Sequence, residues 1–309
     1  MTARVGLIGV GHVGASVAVS LLHFGAVREL LLHDRDTARA EGEAMDLAQG
    51  APFYPRAMVR TATLDEVVGC DVVVFAAGRN GRPGESRLQL LADNMRVASE
   101  LGQRLAGSAA IVIAVSNPVD VLTRVLRDTS GLPAARVLGT GTMLDTARLR
   151  QRLGEKFGVD SRSVHAQVLA EHGDSSLMHW SGAQVGGQPL RAMHAWTSDD
   201  ETALATEVRR AAYEIIQRKG MTNHAIGLVT ADLVRAVLRD EHRVLTVARQ
   251  QTDTPWRDVV GEVALSLPAI VGKDGAQTVL RPALDAAEAA GLAQSAAVLQ
   301  QAWAGAAAA

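Results

Sequence analysis

Val5-Gly6-Leu7-Ile8-Gly9-Val10-Gly11-His12-Val13-Gly14 decides the fold of this chain. The aliphatic run Val5–Val10 reads as a strand and the apolar spacing of 13–25 as a helix, so the glycines fall on a strand-to-helix turn. The first glycine permits the tight turn, the second lets the backbone approach a pyrophosphate, and the third lets helix and strand pack closely. The helix N-terminus then offers unpaired N–H groups to an anion. The next strand, Glu29–His33, leads into Asp34, twenty residues after Gly14. A carboxylate there can accept both ribose hydroxyls of an adenosine and would repel a 2′-phosphate. Gly9, Gly11, His12, Val13, Gly14 and Asp34 are therefore the candidate cofactor-binding residues, with NAD favoured over NADP and the adjacent Arg35 softening that discrimination. A glycine-rich turn beside a solvated aspartate is the bland alternative; strand, helix and acid at this spacing argue against it.

Working outward, the first half alternates apolar runs with amphipathic stretches: Glu29–His33 then 37–49, Val72–Ala76 then 87–106, Ala110–Val115 then 119–129. Strands separated by helical patterns predict βαβ units and a parallel sheet. The runs are apolar at both odd and even positions, as expected when helices cover both faces. This is an α/β chain with a Rossmann-type doubly wound parallel sheet. Near 142 the pattern changes. A helix over 143–157 is followed by strand-like runs at 164–170 and 183–190, helices over 199–218 and 222–239, strands at 242–247 and 262–271, and a closing helix over 283–305. The expected division is a nucleotide-binding domain over 1–142 and a second, α+β substrate and catalytic domain over 143–309, packed closely because no low-complexity linker separates them.

The composition excludes several classes. The chain has 309 residues, 48% hydrophobic and 21% charged, with 31 basic against 33 acidic side chains, which describes an ordinary globular protein. The near-neutral balance gives no basic stripe for nucleic acid and no polybasic membrane anchor. The single cysteine, Cys70, permits neither a disulfide framework nor a Cys-based metal site within one chain, and fits a reducing, cytoplasmic setting. Glycines at 6, 9, 11 and 14 break the one stretch that imitates a signal peptide, and no apolar run reaches the eighteen residues of a membrane span. The basic residues are nearly all arginine, the only lysines being Lys156, Lys219 and Lys273, which reads as codon usage.

Three polar clusters gather charged and titratable side chains in the middle of the chain. Gly78-Arg79-Asn80-Gly81-Arg82-Pro83-Gly84-Glu85-Ser86-Arg87 has the composition of a mobile lid. Gly141-Thr142-Met143-Leu144-Asp145-Thr146-Ala147-Arg148 places an acid and an arginine three apart on one helix face. Glu171-His172-Gly173-Asp174-Ser175 puts a histidine at the end of an apolar run. Taken singly these are a solvated loop, a helix ion pair and a turn histidine. In this order, with the glycine fingerprint, Asp34 and Ser116-Asn117-Pro118-Val119-Asp120, the chain resembles the L-lactate and malate dehydrogenase family over essentially its whole length. It is most similar to the bacterial NAD-dependent L-lactate dehydrogenase branch.

The resemblance implies roles residue by residue. Arg148 corresponds to the anchor of the substrate carboxylate, where a planar fork suits a bidentate contact. His172 corresponds to the acid and base, Asp145 to the group that orients it and favours its charged form, and Arg87 to the lid arginine that polarises the carbonyl. Asn117 lies near the nicotinamide and the reacting oxygen, and Gly78, Gly81, Arg82 and Thr222 complete the cofactor and substrate walls. The position that divides the family, glutamine for lactate and arginine for malate, is Gly81 here. Glu85 and Thr222 resemble the lactate branch. The expected substrate is therefore a monocarboxylic 2-oxo acid, pyruvate first, with room beside C3 for a longer side chain. Malate and L-2-hydroxyisocaproate-type activities are the alternatives, and Arg79 or Arg82 could replace the missing arginine. Arg150 and His165 match positions that bind fructose 1,6-bisphosphate between subunits, which implies a homo-oligomer, a tetramer, with an effector site. An NAD-dependent glycosidase would need a metal that this chain is poorly equipped to hold, and a non-catalytic nucleotide sensor would not need Asp145, Arg148, His172 and Arg87 together.

Overall fold

The computed structural model describes residues 3–78 and 87–307, apart from the side chains of 87, 88, 306 and 307. Gly81, Arg82 and Glu85 lie outside the described residues, as does the side chain of Arg87. The first half contributes β1 (Arg4–Ile8), β2 (Glu29–His33), β3 (Met58–Thr61), β4 (Val72–Phe75), β5 (Ile111–Ala114) and β6 (Val137–Gly139), all parallel, in the order β3-β2-β1-β4-β5-β6. That is the order of a doubly wound nucleotide-binding sheet, which reverses beside β1. Its connections are α1 (His12–His23), α2 (Thr37–Gln49), α3 (Leu64–Val68), α4 (Arg87–Arg104) and α5 (Val119–Ser130).

The inner strands are buried on both faces for the reason their composition implied. Val72 and Val74 of β4 and Ile111 and Ile113 of β5 join one apolar cluster, while Val73, Phe75, Val112 and Ala114 join another on the opposite face. A period of two sends successive side chains to opposite sides, and both sides are covered by helices.

The second half adds α6 (Met143–Phe157), then β7 (Val164–His165), β8 (Val168–Leu169), β9 (Leu177–Met178), β10 (Gln184–Val185) and β11 (Gln188–Pro189), followed by α7 (Ser198–Lys219) and α8 (His224–Leu238). It ends with β12 (Arg243–Gln250), α9 (Arg257–Val260), β13 (Ala264–Gly272), β14 (Gly275–Val279) and α10 (Ala286–Ala307). β12, β13 and β14 run antiparallel to one another and extend the parallel sheet through the Ala248–Gly139 pair. The sheet therefore continues from the first half into the second.

Three differences from the sequence pattern have local causes. The run 164–170 is two short strands, because β7 pairs with β10 whereas β8 pairs with β9. β3 was missed because its residues are half-buried at a sheet edge and form no apolar run, and β6 because it has three residues. The last helix starts at Ala286 rather than 283, where Asp285 and Glu288 cap each other's backbone: Glu288 N–H donates to Asp285 Oδ1 at 2.8 Å and Asp285 N–H to Glu288 Oε2 at 3.0 Å.

Candidate active site

The nucleotide end of the site is built from backbone. Gly9 sits at φ +91°, and a Cβ there would lie 2.5 Å from the Ala77 nitrogen. A Cβ on Gly14 would lie 2.0 Å from the Gly9 carbonyl oxygen, whereas one on Gly11 would meet nothing within 4 Å. Two glycines thus make the turn and the helix contact, and the third faces open space that a phosphate can approach. Gly11 caps α1 with extended backbone and no side chain, leaving the N–H groups of His12 and Val13 for an anion. Asp34 receives Val10 N–H on Oδ2 at 2.9 Å and Asp36 N–H on Oδ1 at 3.0 Å, so the carboxylate is fixed at the end of β2 with lone pairs remaining for ribose hydroxyls. The cradle fits a dinucleotide.

Gly78 lies at the edge of this crevice, exposed, after β4. Asn117 follows β5 at a cis Asn117–Pro118 bond; its Oδ1 accepts Val119 N–H at 3.3 Å and its carbonyl accepts from Asn94 Nδ2 at 3.2 Å. Thr222 lies half-buried in the loop between α7 and α8. That loop is tied to the nucleotide helix, since Asn223 Nδ2 donates to Ser16 Oγ at 2.8 Å and Gly227 packs against the Ser16 backbone. No hydrogen bond joins Asn117 or Thr222 to His172 among the described residues.

The candidate catalytic end is built from side chains on separate elements. His172 lies in the turn between β8 and β9, and Asp145 and Arg148 lie on the first turns of α6. His172 Nδ1 is 2.6 Å from Asp145 Oδ2, and Arg148 donates to Asp145 Oδ1 at 2.9 Å, so one carboxylate holds both cations. Exposure rises across the group, from 8% for the Asp145 side chain to 13% for Arg148 and 24% for His172. Asp145 is the buried keystone and His172 the member open to a ligand. Its Nε2 has no hydrogen-bond partner among the described residues.

The start of α6 is fixed to its surroundings by small polar residues. Gly141, at φ +47°, has no room for a Cβ, which would lie 2.1 Å from Ser266 Oγ. Thr142 N–H donates to the same Oγ at 3.0 Å, and Thr146 Oγ1 accepts Val168 N–H at 2.9 Å. These bonds join α6 to β13 and β8 and hold Asp145 against the histidine turn.

The pair is electrostatically matched. Burial disfavours the imidazolium of His172, but the Asp145 carboxylate, with help from Asp120, outweighs it and holds the histidine above its ordinary value. Burial likewise disfavours ionised Asp145, yet His172 and Arg148 bring its carboxyl below the usual range. The arrangement favours the protonated form of the histidine beside a fixed carboxylate, with a guanidinium next to it whose remaining N–H groups have no partner among the described residues. It can protonate a carbonyl oxygen while holding a carboxylate close by.

Sequence reasoning missed the residues behind the histidine. His172 N–H donates to Asp120 Oδ2 at 2.8 Å, and Glu171 N–H to Ser295 Oγ at 3.1 Å. Asp120 was visible as part of the Ser116–Asp120 string, without a role; Ser295 left no signal in an alanine-rich helix. Arg150, on α6, donates through Nε to Ala166 O at 2.9 Å, beside exposed His165 on β7. Burial, and then the neighbouring Arg243 charge, holds the Arg150 guanidinium below its ordinary value. Among the described residues no cluster of His, Cys, Asp and Glu could hold a metal ion, and no helix is long and apolar enough to cross a membrane.

The chain has counterparts among known proteins over nearly its whole length. Residues 3–139 match the lactate/malate dehydrogenase NAD-binding domain model and residues 142–308 the lactate/malate dehydrogenase α/β C-terminal domain model. L-lactate dehydrogenase of Synechococcus sp. (strain JA-3-3Ab) is 42% identical over 301 residues, covering 96% of both chains. That of Thermus aquaticus is 43% identical over 304 residues, covering 96% of this chain and 97% of its own. Among solved structures, a lactate dehydrogenase from a Medee basin deep-sea metagenome library superposes with a TM-score of 0.94 at 36% identity, covering 99% of both chains. The minor L-lactate dehydrogenase of Enterococcus mundtii gives 0.93 at 36% identity, covering 98% of both. A cradle shaped for NAD, a histidine whose charged form is favoured by a neighbouring carboxylate, and matches that run from one end of the chain to the other have one common explanation: the chain belongs to the lactate/malate dehydrogenase family, NAD-dependent oxidoreductases acting on 2-hydroxy acids.

Proposed function

We propose that this enzyme is an L-lactate dehydrogenase, interconverting pyruvate and L-lactate with NADH and NAD. The observation that carries the reading is the shared Asp145 carboxylate, 2.6 Å from His172 Nδ1 and 2.9 Å from the Arg148 guanidinium. Arg148 holds the substrate carboxylate through its free N–H groups. His172, protonated, donates from Nε2 to the carbonyl oxygen in reduction and accepts the proton back in oxidation. Asp145 fixes the ring through Nδ1 and stabilises the imidazolium. Arg87, at the start of α4, polarises the carbonyl as water is excluded, and Asn117 and Thr222 line the site. NAD supplies the hydride chemistry. The working division is a nucleotide-binding domain over 1–142 and a substrate domain over 143–309.

Gly81 stands where malate dehydrogenases carry arginine, so a second substrate carboxylate would lack its counter-charge, and the freed volume admits side chains longer than methyl. NADH oxidation measured with pyruvate, oxaloacetate, 2-oxoisocaproate and phenylpyruvate tests this. The expected order by kcat/KM has a monocarboxylic acid first; oxaloacetate in first place would reject the reading and assign the compensation to Arg79 or Arg82.

The same reading includes a cytoplasmic setting, supported by the unpaired, buried Cys70, and a homotetramer activated by fructose 1,6-bisphosphate. The last rests on Arg150 bonding the residue next to His165, which keeps the two positions close together where an anionic sugar could engage them across a symmetry axis. Sedimentation and pyruvate kinetics with and without the bisphosphate test it; an unchanged KM counts against it.

A further inference from the structure

The turn that carries His172 is fixed in an unusual way. Ala170 adopts φ +72°, a left-handed conformation that side chains disfavour. From there three consecutive N–H groups are each taken by a different element. Ala170 N–H donates to Ser266 O of β13 at 2.7 Å, Glu171 N–H to Ser295 Oγ of α10 at 3.1 Å, and His172 N–H to Asp120 Oδ2 of α5 at 2.8 Å. Two of the acceptors are neutral. The third, at the histidine, is a carboxylate.

Asp120 is an expensive choice for a backbone clamp. It is 4% exposed, and its second oxygen, Oδ1, is buried without a hydrogen-bond partner among the described residues. Burial pushes its carboxyl up to about 7, with the His172 N–H and imidazole opposing that rise. An asparagine of the same shape could accept the same N–H without placing a charge in the interior. What the carboxylate adds is its charge, and the cation that acts on it most strongly is His172, whose backbone N–H it holds. The other charged groups facing this pair are Asp145 and Arg148 from α6 and Glu171 from the turn. On its own helix, Arg124 lines the same small cavity as Asp120 and stacks on Trp303 of α10. Val263 and the first residue of β13, Ala264, lie nearby, and α10 contributes the neutral Ser295.

We propose that Asp120 is a positioning residue for the reaction: through the His172 N–H it fixes the catalytic turn against the nucleotide half, and its charge is a second carboxylate behind the imidazole that favours the protonated acid. The proposal rests on His172 being the proton donor. It separates two effects that Asp145 combines, since Asp145 binds the ring directly whereas Asp120 acts through the backbone and through space.

Asp120→Asn keeps an acceptor oxygen and removes the charge; Asp120→Ala removes both. In pyruvate reduction, the alkaline limb of the kcat profile is expected to move to lower pH by about half a unit to one unit in Asp120→Asn, as for loss of a nearby buried charge. Asp120→Ala is expected to show the same displacement with a further loss of kcat of about tenfold, from a misplaced acid. NADH affinity should stay within about twofold in both, because a positioning residue leaves ground-state cofactor binding alone. Asparagine must therefore restore most of the kcat lost in the alanine variant without restoring the pH profile. An unmoved limb in both variants overturns the proposal, as does an equal loss of kcat and of NADH binding in both. His172→Ala is the separate control: full turnover in that variant would sink the assignment of the acid itself.

Discussion

The proposed nucleotide cradle and the proposed catalytic cluster solve recognition in opposite ways. The cradle is local and made of backbone: Gly9, Gly11 and Gly14 fall within six residues, and Asp34 is locked to it by Val10 N–H. The cluster is assembled from α6 and the β8–β9 turn, with Asp145 and His172 separated by 27 residues, and it works through buried charge. Backbone recognition tolerates no added bulk but needs no charge balance. Side-chain recognition tolerates sequence distance but depends on every partner, because an unpaired charge in a low-dielectric site is costly.

The contrast breaks first at His172. His172→Ala is expected to lower kcat by about 10³-fold while NADH binding, measured by fluorescence titration, is retained, since general acid catalysis is lost and the cradle is untouched. Turnover close to the parent's would remove the acid from the mechanism. Arg148→Lys comes next. A lysine keeps the charge but loses the fork, both for a substrate carboxylate and for Asp145, and kcat/KM for pyruvate should fall roughly 10²-fold with NADH affinity unchanged. A fall of less than about threefold would show that the fork is not used.

The cradle gives the sharper pair. Gly14→Ala drives a Cβ into the Gly9 carbonyl, so it should lower stability by roughly 1–3 kcal/mol, visible as a lower Tm without ligand. Gly11→Ala, pointing into open space, should leave Tm alone and weaken NADH binding about tenfold by blocking close approach of a phosphate. Equal losses of Tm in both would contradict the geometry.

The smallest expected effect is a displacement on the pH axis. Because His172 is held above its ordinary value by Asp145, pyruvate reduction needs the imidazolium and should persist above the usual histidine range, falling only as pH passes the raised value. Lactate oxidation needs the neutral ring and should rise over the same interval. The linked stability has two edges. The His172 contribution is full below the unfolded histidine value and lost as pH rises through the raised one. The Asp145 contribution is present above the unfolded carboxylate value and lost as pH falls through its lowered one. Urea midpoints across pH read both; an acid edge alone would show that His172 is not stabilised by folding.

How much could be read beforehand follows from the same contrast. The bounds of β2, α2 and α6 come out as the sequence indicates, because β2 is a short continuous apolar run and each helix has an amphipathic spacing with a turn or capping residue at an end. β3 and β6 escaped because a half-buried edge and a three-residue strand carry too little pattern. Asp145 and Arg148 were legible as neighbours since a helix puts residues three apart on one face. That the pair meets His172 was available only through resemblance to a family, and the acceptors behind the histidine not even then.

The amino-acid pattern alone was enough for β1, β2, β4 and β5 of the nucleotide half and for the dinucleotide cradle with its preference for NAD, because each strand carries its own apolar run and the cradle depends on spacing within one βαβ unit. Only the tertiary structure decided that β12, β13 and β14 continue the same sheet, that one buried carboxylate holds both His172 and Arg148, and that Asp120 and Ser295 hold the catalytic turn from α5 and α10. The physical reason is range. Turn geometry and helical periodicity act over a few residues, whereas a buried ion pair or backbone clamp joins groups whose separation along the chain says nothing about their separation in space.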